Sequence, residues 1–141
     1  MSSRARQCTV RGPVDICRAM QITAIEAAKA GFEEDQIVLL QLATEEACAN
    51  ACEYAQAGND PVFVTWREHR GSFMITVRQT GHPFPLEVPQ LTGVNTSARG
   101  RGLLLILYLM DEVRHLRRHP YVYLRMAKSM RRTARGGNAD G

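Results

Sequence analysis

Glu46 and Asn50 stand four residues apart in the run Glu45-Glu46-Ala47-Cys48-Ala49-Asn50-Ala51, a spacing that puts both side chains on one face of a helix. A carboxylate there can take a proton from a hydroxyl or a water, and the carboxamide oxygen beside it can ligate a hard cation such as Mg²⁺. On most helices such a pair is simply solvated, and the residues downstream give this one its weight. A strand ends near Gly81, an irregular stretch comes next, and Gly100-Arg101-Gly102 then opens an apolar run. A helix that starts this way can hold phosphate on its first backbone N–H groups. Cys48 and Cys52 also share a helix face, which is half of a metal site, but no neighbouring His or Cys completes it.

These residues need elements to hold them. Residues 4–11 alternate loosely and read as a short edge strand, broken by Gly12-Pro13. From Pro13 to Ala30 the apolar positions Val14, Cys17, Ile22, Ile25 and Ala28 predict an amphipathic helix, with Pro13 in its first turn and Gly31 as its C-cap. A second, alanine-rich helix is expected from about Glu33 to Ala57, opened by acidic residues and closed by Gly58-Asn59-Asp60. Val62 to Arg67 and Phe73 to Arg78 read as a hairpin turning at Arg70-Gly71-Ser72. Alternation along its second strand places Phe73, Ile75, Val77 and Gln79 on one face, so Gln79 continues the buried side.

Residues 81–99 carry three prolines and no regular period, the pattern of a functional or a disordered loop. A helix buried on nearly all sides is expected from Leu103 to about Glu112, then two strands, Val113 to Arg118 and Tyr121 to Ala127, joined at His119-Pro120. The tail after Arg131 should be disordered. Helices grouped between antiparallel strands indicate an α+β fold: a two-layer α/β sandwich whose mixed, mostly antiparallel sheet is covered on one face by helices. One domain is expected over residues 1–130, with 131–141 as a basic, glycine-rich tail.

At 141 residues the chain has room for one core and not for two. Its longest apolar run, Leu103 to Met110, is too short for a membrane helix, and no apolar stretch follows Arg4 and Arg6 as a secretory leader requires. The expected address is cytoplasmic, where Cys8, Cys17, Cys48 and Cys52 would be reduced core thiols. The net charge of +4 is concentrated towards one end, with Arg114, Arg117, Arg118, Arg125, Lys128, Arg131, Arg132 and Arg135 in the last 30 residues. Such a run is either a solvated surface or an attractor for an acidic protein or nucleic acid. No nucleic-acid motif accompanies it, so neither nucleic acid nor membrane is an expected partner. His82 is the one histidine near the proposed site and reads as an ordinary loop residue; Trp66, Tyr121 and Tyr123 read as sheet packing.

The stretch Leu42-Ala43-Thr44-Glu45-Glu46-Ala47-Cys48-Ala49-Asn50-Ala51 resembles the N-box of the GHKL ATPases (gyrase, heat-shock chaperone, histidine kinase, MutL), and among them the serine-kinase anti-sigma factors. Ser97-Ala98-Arg99-Gly100-Arg101-Gly102-Leu103-Leu104-Leu105, running on to Leu109-Met110-Asp111-Glu112-Val113, resembles their second glycine box and the helix after it. The element order agrees over roughly residues 5 to 130. The resemblance implies the Bergerat ATP-binding fold, with ATP and Mg²⁺ as cofactors. It implies Glu46 as general base, Asn50 as the Mg²⁺ ligand and Gln79 with Gly81 at the adenine. Gly100, Gly102 and Leu103 would form the phosphate cradle, with Arg99 or Arg101 neutralising the transferring phosphoryl group.

One departure stands out. The family's first glycine box reads Asp-x-Gly-x-Gly, and this chain has Gln79-Thr80-Gly81-His82-Pro83. A neutral amide replaces the carboxylate that accepts the adenine amino group, a loss worth about 1 to 3 kcal/mol, or roughly five- to 150-fold in affinity. Pro83 has no N–H and a fixed φ where the family has glycine. Two functions are therefore expected. In one, the chain is an ATP-dependent serine/threonine protein kinase of a bacterial partner-switching system, acting on a small anti-sigma-factor antagonist, contacting a sigma factor or another regulator of transcription, and working as a homodimer. In the other, the same fold is a non-catalytic partner-binding module with a degenerate nucleotide site.

Overall fold

Gly12-Pro13 ends one element and starts the next. Pro13 occupies the first helical turn, and Asp15 reaches back to accept the Arg11 N–H at 2.9 Å, which ties the incoming chain to the start of the helix. In a computed structural model that describes residues 5–54, 60–81 and 98–130, the order is β1 (Arg6–Val10), α1 (Pro13–Ala30), α2 (Glu34–Tyr54), β2 (Val62–His69), β3 (Ser72–Thr80), α3 (Ala98–Leu109), β4 (Glu112–Arg118) and β5 (Tyr121–Ser129). Helix α1 has the expected bounds and closes on Gly31, while α2 opens with the Gln36 side chain accepting the Glu33 N–H at 3.2 Å. Residues 82–97 of the loop expected over 81–99, the expected end of the second helix at 55–59, and the tail 131–141 lie outside the described residues.

The sheet has five strands in the order β1-β2-β3-β5-β4, and every neighbouring pair is antiparallel. Its inner face carries Val62, Val64 and Trp66 from β2, Phe73, Ile75 and Val77 from β3, and Leu124 and Met126 from β5. These form one core with Ala19, Ile22 and Ala27 of α1, Leu40, Ala43 and Ala47 of α2, and Ile106 of α3. The helices therefore lie on one face, and the other face of the sheet has none over it among the described residues.

Three expectations need correction. The buried stripe of α1 is Ala19, Ile22, Thr23, Ala27 and Ala30, so of the five apolar positions read as its inner face only Ile22 is buried. Val14 is 75% exposed, and Ile25 and Cys17 are exposed as well. Small side chains let α1 lie close to its neighbours, and a polar bond from Thr23 replaces apolar contact at its centre. Cys17 is consequently not a core thiol, whereas Cys48 is buried and Cys8 and Cys52 are half-buried.

The third correction concerns α3, which runs from Ala98 to Leu109 rather than from Leu103 to Glu112, and Glu112 begins β4. The glycines lie inside its first turns, where packing overrides their low helix propensity. Nor is α3 buried all round: Ile106 and Leu109 face the core, and Tyr108 is 85% exposed. Its far end is fastened to β5 by Lys128, whose Nζ donates to the Leu109 carbonyl at 2.8 Å. A cation at the end of a helix suits the negative pole of its dipole.

Candidate functional site

Alanines at positions 43, 47 and 51 form a ridge of small, fully buried side chains along α2, which brings its backbone close to the sheet and to α3. The polar residues beside that ridge are turned the same way. Glu46 is half-buried and Asn50 only 3% exposed, while the neighbouring Glu45 and Ala49 point to solvent. The residue that the i,i+4 reading pairs with Asn50 is thus the inward-turned glutamate of the two.

Helix rotation is set by a chain of buried hydrogen bonds that the sequence did not announce. Trp66 Nε1 donates to Thr23 Oγ1 at 2.8 Å, Thr23 and Thr44 hydroxyls meet at 2.7 Å, and Thr44 Oγ1 donates to the Leu40 carbonyl at 2.8 Å. Since the Thr44 proton is committed to Leu40, Thr23 must be the donor to Thr44. The chain links β2, α1 and α2 at a point two residues before Glu46. Gln41 Nε2 adds a bond to the Met20 carbonyl at 3.0 Å. The available signal was two threonines in otherwise alanine-rich helices, where a buried hydroxyl needs a partner.

Glu46 packs against the first turns of α3. A Cβ added to Gly102 would fall on the Glu46 carboxylate, so this position has room for glycine alone unless Glu46 moves. Arg99, Gly100, Arg101 and Leu103 occupy the same first turns of α3. No acidic residue lies in the first turn, although acidic residues are what a helix N-terminus ordinarily favours. The backbone N–H groups there have no partners within the helix and present a positive pole.

Asn50 carries the clearest unmet demand. Its Nδ2 is buried with no hydrogen-bond partner among the described residues, a condition that costs about 1 to 3 kcal/mol when nothing fills it. Gln79 lies at the end of β3 on the inner face, 3% exposed as strand alternation requires, and its Nε2 donates to the Thr80 carbonyl at 3.3 Å. Gly81, directly after it, has φ of 98°, a left-handed conformation that suits glycine. His82 and Pro83 lie outside the described residues.

The residues present fit a phosphate-bearing ligand with its cation. The orphaned Asn50 carboxamide offers a donor to a phosphate oxygen or, turned over, an oxygen to a hard cation. The start of α3 offers N–H groups, and Glu46 a carboxylate next to them. The thiol of Cys48, two residues from Asn50, is not a nucleophile: burial pushes it well up, with Cys52 and Cys8 adding to the effect.

The sequence matches the family described as the histidine kinase-like ATPase domain over residues 13–128. A chain of the SiaB-SiaC complex from Pseudomonas aeruginosa is similar in structure, with a TM-score of 0.60, 12% identity, and 88% of each chain covered. The catalytic domain of the histidine kinase ThkA is similar with a TM-score of 0.56 and 15% identity, covering 92% of this chain and 97% of that one. The histidine kinase AdeS of Acinetobacter baumannii is similar at 0.51 and 11% identity, covering 90% of this chain and 68% of the other. At these identities the likeness is one of fold. No curated protein matches the sequence.

Proposed function

Because the chain belongs to the histidine kinase-like ATPase domain family, with the α+β fold of the GHKL ATPases, we propose that it is an ATP- and Mg²⁺-dependent serine/threonine protein kinase that phosphorylates a small antagonist protein in a bacterial partner-switching system. The observation that carries this reading is the placement of Glu46 and Asn50 on one face of α2, with Glu46 against Gly102 in the first turns of α3 and the Asn50 amide buried without a partner among the described residues. When bound, ATP supplies the phosphoryl group and Mg²⁺ offsets charge on its oxygens. The chain's own residues do the rest. Glu46 accepts the proton of the incoming serine hydroxyl, Asn50 Oδ1 holds the cation, Gln79 Oε1 accepts from the adenine amino group, and the N–H groups around Gly100, Gly102 and Leu103 hold phosphate oxygens. Arg99 or Arg101 stabilises the charge in transfer. The similarity to a chain solved in the SiaB-SiaC complex supports a partner protein as the substrate.

A second reading rests on Gln79. Its Nε2 already bonds the adjacent backbone and its neutral oxygen is a weaker adenine acceptor than a carboxylate, which favours a partner-binding module without turnover. Calorimetric titration of the folded protein with Mg-ATP and Mg-ADP, beside an Asn50→Ala variant, separates the two. Binding in the micromolar range that disappears in the variant is the expected result. Absence of heat with either nucleotide sinks the kinase and leaves the module.

A further inference from the structure

The face of the sheet turned away from the helices is lined by arginines and aromatic rings. On β3, Arg78 lies opposite Phe63 of β2 on one side and Tyr123 of β5 on the other. Its guanidinium is held 4.4 Å from the centroids of both Phe63 and Tyr121, a two-sided cation–π arrangement that fixes the group in place. On the next row, Arg125 of β5 lies directly opposite Arg114 of β4. On the row beyond Tyr123, Arg118 lies opposite Tyr121. Arg114 is bonded to Glu112 at 2.8 Å, the one carboxylate that the described residues of β4 and β5 supply.

Two features of this face are unfavourable as they stand. Like charges directly across a strand pair repel, and Arg114 faces Arg125. The Nε atoms of Arg78 and Arg125 are both buried with no hydrogen-bond partner among the described residues, although buried donors are ordinarily satisfied. An anionic occupant would resolve both, by supplying acceptors to the donors and charge to the pair. We propose that this face of the sheet, which no helix of the described residues covers, is a docking surface for an acidic, carboxylate-rich segment of a partner protein, independent of the nucleotide reading at α2 and α3.

The rings decide between carboxylates and nucleic-acid bases. A stacking platform needs aromatic faces turned to solvent. Here Arg78 lies over the faces of Phe63 and Tyr121, and Tyr121 meets Tyr123 edge to face at 6.4 Å. The rings serve the guanidinium, and a planar guanidinium held in one orientation is the partner of a carboxylate fork. A second copy of this chain is disfavoured by the same charges, because two such faces brought together would set arginine against arginine.

The test uses the whole chain and a fluorescein-labelled oligoglutamate peptide at physiological ionic strength, followed by anisotropy and by amide shifts in NMR. Binding is expected with shifts centred on Thr65, Thr76, Arg78 and Tyr123. Arg114→Gln with Arg125→Gln should weaken it at least about tenfold. Arg78→Lys, which keeps the charge and loses the planar stack, should weaken it too. A triple change of Arg131, Arg132 and Arg135 to Gln should leave it nearly unchanged, and circular dichroism verifies that every variant folds. Equal loss in the triple variant would reduce the effect to diffuse charge and overturn the proposal. So would tighter binding of a single-stranded oligothymidine of matched charge, no binding of the peptide, or a dimer by light scattering that buries the same residues.

Discussion

A single methyl group at Gly102 would separate what the fold needs there from what the site needs. The atom it meets is the end of the Glu46 side chain, which can swing aside, and alanine in a helix interior is favoured over glycine by about 1 kcal/mol. Gly102→Ala should therefore fold as stably as the parent, or slightly more so, in urea titration. It should also turn the Glu46 carboxylate away from the start of α3 and, under the kinase function proposed above, lower phosphotransfer to the same extent as Glu46→Gln. In the double variant the two losses should not add, since both act through one group. A full additive loss would place the effect of Gly102 elsewhere. Glu46 and Asn50 were legible as a pair because helix spacing is a property of the chain alone. The contact with Gly102 was not, because it depends on how closely α2 and α3 approach.

The rotation of α1 and α2 against the sheet is fixed by polar bonds as well as by apolar packing. Thr23→Val keeps the volume of the side chain but removes the acceptor of Trp66 Nε1 and the donor to Thr44. An orphaned indole N–H should cost about 1 to 3 kcal/mol, read as a lower urea midpoint with an unchanged slope. An unchanged midpoint would show that the chain of bonds is not what holds α1 against β2. The same residue explains where the sequence misled. Pro13, Gly31 and the strand alternation that buries Gln79 are local signals, and the bounds of α1 and the parity of β3 follow from them. The inner face of α1 is tertiary: alanines and a hydrogen-bonded threonine are buried there while Val14 and Ile25 are left outside, and apolarity alone points the wrong way. The start of α3 was misplaced for a related reason, since its two glycines are poor helix formers and its first residues carry no apolar period until the neighbouring helix supplies the packing.

For the molecule as a whole, acid should be more damaging than its modest size suggests. His115 is half-buried on the inner side of β4, and burial, helped by Arg117, lowers its pKa from the ordinary 6.5. The unfolded imidazole takes its proton near that ordinary value and the folded one only at lower pH. In the window between, the unfolded chain holds more protons, so stability falls as pH drops and is fully present above the ordinary value. Protonation also raises a net charge that is already positive. Urea midpoints should therefore fall between about pH 7.5 and about pH 5.5, with part of the slope removed in His115→Gln; equal slopes in both proteins would clear His115 of the effect. The strand order has its own consequence, in the time before the molecule exists as a folded whole. The sheet puts β5 between β3 and β4, so a chain emerging from the ribosome completes β4 before the neighbour of β4 has been made. Until β5 arrives, β3 presents an open edge from Ser72 to Thr80. Closure must wait for a non-local pairing, a slow kind of step that leaves a strand edge free to template on other chains. A ribosome stalled short of β5 would hold a three-stranded fragment with its aggregation-prone border exposed.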